Sequence, residues 1–277
     1  MASRRGSVEP VPLPPSPPKY YLMYMKSKGY QKFETRLVYF REDMELADVL
    51  FLNKERLKSE DKIFLMVDTY KHPLLSGRES TKGSRRNVMI HLKKSIFVSF
   101  LKEMYEEVTE YIRYILLQGS INGVDANRII GEHNFKMQAN DVLRLATKEE
   151  VIKSVTDQVF QQLESERSTI ELLQKTKNKL GLNIEQELID KAIPYLTCRH
   201  IFVHSDGKPN DEFKEKYTII RLDSKGRIAL NMEFLNTAYK SVNDLLKAYD
   251  TEMIRNNYIS SNPQVIPNGS FKGLKSA

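Results

Sequence analysis

The chain of 277 residues has one cysteine, Cys198, no tryptophan and no long apolar run. A single cysteine excludes an intramolecular disulfide and a cysteine metal cluster, which fits a reducing compartment. No segment approaches the roughly 18 apolar residues of a membrane-spanning helix. Prolines and serines follow the basic first residues, where a signal peptide would have its apolar core. We therefore expect a soluble, cytoplasmic protein without a membrane partner.

Positive charge is in excess, with 43 Lys and Arg against 36 Asp and Glu and a net charge of +7. Clustered Lys and Arg bind nucleic acids because they displace counterions from the phosphate backbone. A basic solvated surface without any partner explains the same charge. The balance therefore favours an anionic partner such as RNA without requiring one.

Composition divides the chain into four parts. Residues 1–19 hold six of the 11 prolines and are expected to form a disordered tail. Residues 20–86 predict a mainly helical, aromatic-rich N-terminal extension that ends in a basic linker. Residues 87–257 carry the strongest helical patterns, and the polar residues 258–277 predict a flexible tail.

Helix signals begin with an apolar stripe from Ile96 to Leu116. This stripe predicts a core helix that opens at Ser95 and ends before Gly119. Capping boxes that begin at Thr147 and Ser168 predict two further helix starts. The sequence therefore indicates an all-α fold.

A later helix, capped by Asn183, is predicted to carry the most reactive segment of the chain. Pro194 lies inside this helix and predicts a kink or a restart just before Arg199. Alternating residues on either side of 223–226 predict a small β-hairpin. Asn231 then caps the last amphipathic helix.

The reactive segment places Arg199, His200 and His204 just before a turn. The planar guanidinium of arginine can donate two hydrogen bonds to one phosphate, and histidine can donate or accept a proton near neutral pH. Similar spacings recur at 86–91 and 128–133, without a comparable helix before them or turn after them. We interpret those two as coincidences.

An amphipathic helix that ends in Arg, a polar residue, apolar residues and His, followed by a polar-Asp-Gly turn and an acidic stretch, resembles the HEPN family. An upstream helix closed by Leu180-Gly181-Leu182 and a later Gly226–Leu230 segment before the last helix agree with it. The resemblance covers about residues 95–255 and leaves the N-terminal third unmatched. It implies a HEPN-like up-down helical bundle and a metal-independent endoribonuclease that leaves a 2′,3′-cyclic phosphate.

The resemblance also implies roles for the three side chains. His204 would act as base or acid, because the pKa of a free histidine is about 6.5. Arg199 would hold the phosphate, and His200 would orient it or carry the second proton. The family positions its arginine with an acidic residue from an early helix. Four residues are candidates here and the sequence does not choose among them: Glu103, Glu106, Glu107 and Glu110.

Geometry limits what one chain can do with this motif. Two side chains five positions apart on an ideal helix point in directions that differ by about 140°. Arg199 and His204 therefore project from different faces unless the helix ends between them. HEPN nucleases typically pair two copies of the motif at a two-fold interface, which implies a homodimer here. The resemblance further implies no cofactor, a role in phage defence or as a toxin, and an antitoxin or regulatory protein as a partner.

Three other interpretations stay open. A non-catalytic HEPN scaffold would bind RNA, a nucleotide or a partner protein through the same basic cleft. Residues 20–75 would alternatively be the functional part, as a sensor that controls the helical domain. In the third interpretation Arg199 and His204 are an ordinary helix-end cation and a surface histidine, and His200 has a structural role. Cys198 is expected to be a small buried residue.

Overall fold

The computed structural model describes residues 25–53, 68, 70–76, 82–131, 140, 145, 147–165 and 168–263. Its elements are β1 (Met25–Lys26), α1 (Lys28–Leu52), α2 (Pro73–Ser76), α3 (Lys82–Ile121), α4 (Ala126–Ile130), α5 (Lys148–Ser165), α6 (Thr169–Leu180), α7 (Gln186–His204), α8 (Asp211–Lys216), α9 (Met232–Arg255) and β2 (Asn262–Pro263). The predicted all-α fold class is confirmed. The predicted disordered tail, 1–19, lies outside the described residues.

Helix α3 lies at the centre of the fold, and α1, α5, α6, α7 and α9 pack against it. Its apolar stripe is buried as predicted and joins buried side chains of the other helices in one core. Tyr30, Phe33 and Leu37 of α1 belong to this core. The described part of the N-terminal extension therefore packs together with the helices after residue 87. The predicted domain division remains a prediction.

Several predicted helix boundaries are confirmed by side-chain caps. The backbone N–H of Glu150 donates to the Thr147 hydroxyl over 3.2 Å, and a Glu150 carboxylate oxygen accepts the N–H of Thr147 over 3.1 Å. Ser168 caps α6 by accepting the Glu171 N–H, and Asn231 caps α9 by accepting the Phe234 N–H. Gly181 ends α6 in the left-handed conformation. Local capping chemistry therefore determines these boundaries.

Helix α3 is longer at both ends than the stripe indicated. It begins at Lys82 instead of Ser95, and its basic first half lies along α1, where Lys93 pairs with Asp48. It also passes through Gly119, where a side chain would collide with Leu180. Gly119 therefore serves the close approach of α6 to α3 and does not end the helix.

The predicted cap of helix α7 is wrong, and of the kink or restart predicted at Pro194 the restart does not occur. Asn183 does not cap it, because the helix begins at Gln186 after Glu185, and the Asn183 N–H donates to Glu252 over 2.9 Å. No restart occurs before Arg199, because the helix runs unbroken past Pro194 to His204. Ile193, Tyr195 and Leu196 around the proline are buried in the core, and this packing stabilises the helix although Pro194 removes one backbone hydrogen bond.

The predicted hairpin before the last helix is reduced to a single antiparallel bridge between Leu222 and Ile228. The Asp223 carboxylate accepts the backbone N–H groups of Lys225 and Arg227 and holds the intervening turn. The chain before it forms a turn at 217–220 in place of a strand. The turn at 223–226 therefore forms where the pattern placed it, whereas the strands on either side shrink to one bridge.

The two ends of the described chain meet. Strand β1 pairs with β2 in antiparallel register, with Met25 opposite Pro263 and Lys26 opposite Asn262. Within the predicted C-terminal tail, Ile259 is buried. No helix in the described ranges has the length and apolar character to cross a membrane.

Candidate functional site

Helix α7 ends at the reactive segment in a sharp turn. The backbone N–H groups of Ser205 and Gly207 both donate to the Ile201 carbonyl, over 2.9 and 3.2 Å. Asp206 and Gly207 adopt the left-handed conformation, with φ of 48° and 79°. A β-carbon at position 207 would approach the Phe202 ring to 2.9 Å, so glycine fits this position best. This turn leaves His204 at an exposed helix end.

Arg199 is half-buried and faces helix α3. Its Nη2 donates to Glu106 Oε1 over 3.1 Å, and its guanidinium carbon lies 4.9 Å from the centre of the Tyr105 ring. Its Nε is buried and has no hydrogen-bond partner among the described residues. Glu106 therefore orients one edge of the guanidinium, while part of its donor capacity stays unused.

The structure distinguishes among the acidic candidates of α3. Glu106 contacts Arg199, whereas Glu107 is buried and accepts from Arg36 Nη1 over 2.6 Å. Glu110 lies 4.0 Å from Arg113, one helical turn away. The sequence could not show which of the four glutamates of α3 pairs with Arg199, because the answer depends on how α7 crosses α3.

His200 and His204 lie together on the exposed side of α7. Their ring centres are 4.4 Å apart, with 44° between the ring planes. This follows from their spacing of four, which places both side chains on one helical face. No hydrogen bond joins Arg199 to either imidazole in the described part of the chain. One chain therefore brings the two histidines together and pairs Arg199 with Glu106 instead.

Asp206, two positions after His204, bridges two cations that sequence reasoning missed. Its carboxylate oxygens lie 2.6 Å from Lys94 Nζ and 3.2 Å from Arg227 Nη2. The hydrogen bond from Lys94, followed by the charges of Lys94 and Arg227, lowers the pKa of Asp206. The turn after the motif is thereby fastened to α3 and to the 222–228 loop. No local pattern signals these pairs, because the partners are distant in sequence.

The other two Arg–His spacings have ordinary structural explanations. Arg86 and His91 are both exposed along the first half of α3. Arg128 Nη2 donates to the Asn178 carbonyl over 2.9 Å, and its guanidinium lies against Gly181. His133 lies outside the described residues.

Cys198 is fully buried, and burial raises the pKa of its thiol. A protonated, inaccessible thiol is a packing residue and not a nucleophile. The described residues contain no group of three or more His, Cys, Asp or Glu placed to hold a metal ion.

The fold and the site together define an all-helical protein with an Arg–His motif at an exposed helix end. No protein family model, curated protein or solved structure matches the chain.

Proposed function

We propose that the chain is a HEPN-type, metal-independent endoribonuclease whose centre is the last turn of α7. The observation that carries this proposal is the pair of exposed imidazoles of His200 and His204, with ring centres 4.4 Å apart. Cleavage of RNA through its 2′-hydroxyl needs one proton acceptor and one proton donor. Two adjacent histidines can supply both near neutral pH.

In the proposed reaction one imidazole removes the proton of the 2′-hydroxyl, and the oxygen attacks the neighbouring phosphorus. The bond from phosphorus to the 5′-oxygen breaks, and the second imidazolium protonates that oxygen. The products are a 2′,3′-cyclic phosphate and a 5′-hydroxyl. The first imidazole ends protonated, and the second ends neutral. Arg199 balances the negative charge that develops on the phosphate oxygens.

The position of Arg199 supports a homodimer as part of this proposal. Glu106 and Tyr105 hold its guanidinium against α3, on a different face from the two imidazoles. A second copy related by a two-fold axis would bring its own Arg199 to the cleft. By the same resemblance, we propose phage defence or toxicity as the biological role, with an antitoxin or regulatory protein as the partner.

Purified wild type and His204→Ala, incubated with labelled RNA in excess EDTA, test the proposal. The substitution should reduce cleavage 10²- to 10⁴-fold, the usual contribution of positioned proton transfer. The matched control is His91→Ala, which removes an exposed imidazole from α3 and should cut RNA normally. Wild-type products should carry 2′,3′-cyclic phosphate. A folded wild type that cuts no RNA, or a fully active His204→Ala, would overturn the assignment.

A second candidate function is RNA binding by a non-catalytic HEPN scaffold. The net charge of +7 favours it, because excess Lys and Arg attract a phosphate backbone whether or not it is cleaved. Salt-sensitive RNA binding without cleavage, equal in wild type and His204→Ala, would support this candidate.

A further inference from the structure

The two exposed imidazoles of helix α7 also form a pair of metal ligands. His200 and His204 are about one helical turn apart, so both rings project from the same face, with their centres 4.4 Å apart. Neither ring has a hydrogen bond within the described residues. The nitrogen of a neutral imidazole is the commonest protein ligand of metal ions. The last turn of α7 therefore presents two ligand nitrogens to solvent.

The distance between the rings determines the coordination angle. A metal ion lies about 2.1 Å from a histidine nitrogen, and therefore about 3.2 Å from the centre of the ring that carries it. Two ring centres 4.4 Å apart then subtend an angle of about 90° at the ion. Tetrahedral coordination, with an angle of about 109°, would need ring centres about 5.2 Å apart. The histidine pair therefore matches two adjacent positions of a square-planar or octahedral ion.

Water would fill the remaining positions of such an ion. Asp206 is the nearest carboxylate in sequence and already pairs with Lys94 and Arg227, and Glu106 pairs with Arg199. Among divalent ions, Cu²⁺ and Ni²⁺ favour imidazole ligands at about 90°, and Cu²⁺ binds most strongly of the first-row metals. Mg²⁺ prefers oxygen ligands. The ligand set therefore selects a transition metal ion.

We propose that His200 and His204 together bind one divalent transition metal ion, with Cu²⁺ preferred over Ni²⁺, and that the bound ion inhibits RNA cleavage. The inhibition rests on the proposed ribonuclease function, whereas the metal site rests on the geometry of the two rings. The proposed reaction needs a nitrogen of one imidazole to accept a proton and a nitrogen of the other to donate one. An ion coordinated by these nitrogens occupies both, so cleavage stops until the ion is removed.

Calorimetric titration of tag-free protein with Cu²⁺, Ni²⁺ and Mg²⁺ tests the site. Wild type should bind one Cu²⁺ per chain, Ni²⁺ more weakly and Mg²⁺ not measurably. His200→Ala and His204→Ala should each weaken Cu²⁺ binding about 10²-fold, because one ligand no longer holds the ion near the other. The matched control is His91→Ala, which removes an exposed imidazole that has no second histidine one turn away. It should bind Cu²⁺ within about 2-fold of wild type.

Electron paramagnetic resonance of the Cu²⁺ complex identifies the ligands directly. Wild type should show coupling to the nitrogens of two imidazoles, and either alanine variant should show coupling to only one. Both side chains are exposed, so the variants should fold, and thermal denaturation checks this. If they do not fold, the wild-type spectrum decides alone. Coupling to a single imidazole in wild type, or equal Cu²⁺ affinity in wild type and folded His204→Ala, overturns the site.

RNA cleavage separates the inhibition from the ribonuclease assignment. Ni²⁺ is the probe, because it avoids oxidative damage to the RNA. Cleavage that falls at least about 10-fold at saturating Ni²⁺ and returns with EDTA supports the proposal. Unchanged cleavage at saturating Ni²⁺ overturns the inhibition. Metal binding by a protein that cuts no RNA in EDTA contradicts the ribonuclease assignment and the inhibition and leaves the metal site. Cleavage in EDTA without metal binding overturns the metal site alone.

Discussion

The two halves of helix α7 differ in environment although they form one unbroken helix. The half from Ile189 to Cys198 packs its apolar side chains into the core, whereas the last turn exposes His200, Val203 and His204. The buried half determines where the helix lies, and the exposed turn presents reactive groups without having to stabilise the fold. A candidate site is thus built on a rigid element whose stability comes from other residues.

The largest difference between the halves should appear in stability. Leu196 is 1% exposed and Val203 is 40% exposed. Leu196→Ala should lower the free energy of unfolding by about 3 kcal/mol, because it removes buried methyl groups and leaves a cavity. Val203→Ala should change it by less than about 0.5 kcal/mol. Chemical denaturation of both variants measures this contrast, and similar losses would show that the last turn is also part of the core.

Glu106→Gln tests the contact made by Arg199, which lies between the buried half and the exposed last turn of α7. The carboxylate of Glu106 holds Arg199 over 3.1 Å, and an amide lacks the charge for this contact. Cleavage should fall about 10-fold through kcat, with little change in KM, because Arg199 acts on charge that develops during the reaction. Thermal stability should change little, since this pair is partly exposed.

Glu110→Gln is the matched control for that substitution. Glu110 lies one turn further along α3, is similarly exposed and faces Arg113 at 4.0 Å. It should retain wild-type kcat. Equal kinetic losses in the two variants would assign the effect to the general charge of α3 and remove the positioning role of Glu106.

Local sequence signals predicted the all-α fold and the caps at Thr147, Ser168 and Asn231, because those contacts lie within one helical turn. They failed at Asn183, where a contact with a distant helix decides the outcome, and the restart that they allowed at Pro194 does not occur. Asn183 donates its N–H to Glu252 of α9 instead of capping α7. A pattern that extends over a few residues cannot contain such information.

The candidate site shows the same limit. Arg199, His200 and His204 could be singled out from sequence, and the spacing of four places the histidines side by side. The choice of Glu106 depends on how α7 crosses α3. The pairing of Asp206 with Lys94 and Arg227 depends on how three segments meet, so no local motif indicates it.

The smallest effect is expected from Asp206→Asn, at the end of α7. Lys94 and Arg227 lower the pKa of Asp206, so the pair contributes stability above the ordinary carboxylate pKa of about 3.9 and loses it as pH falls through the lowered pKa. Wild type should therefore melt slightly higher than Asp206→Asn, by no more than about 2 °C at neutral pH. The difference should disappear once the pH falls below the lowered pKa of Asp206, and melting curves at several pH values measure it.

Glu187→Gln provides the comparison at the opposite end of the same helix. Glu187 pairs with Lys191 over 2.6 Å, and this contact also lowers its pKa. The pH dependence of stability should therefore resemble that of Asp206→Asn. RNA cleavage should differ between the two variants and should fall only in Asp206→Asn. The Glu187 pair lies within one helix, whereas Asp206 fastens the turn after His204 to two other segments. Equal cleavage by both variants would show that the turn keeps its position without the bridge, and that the exposed half of α7 needs no support beyond the helix itself.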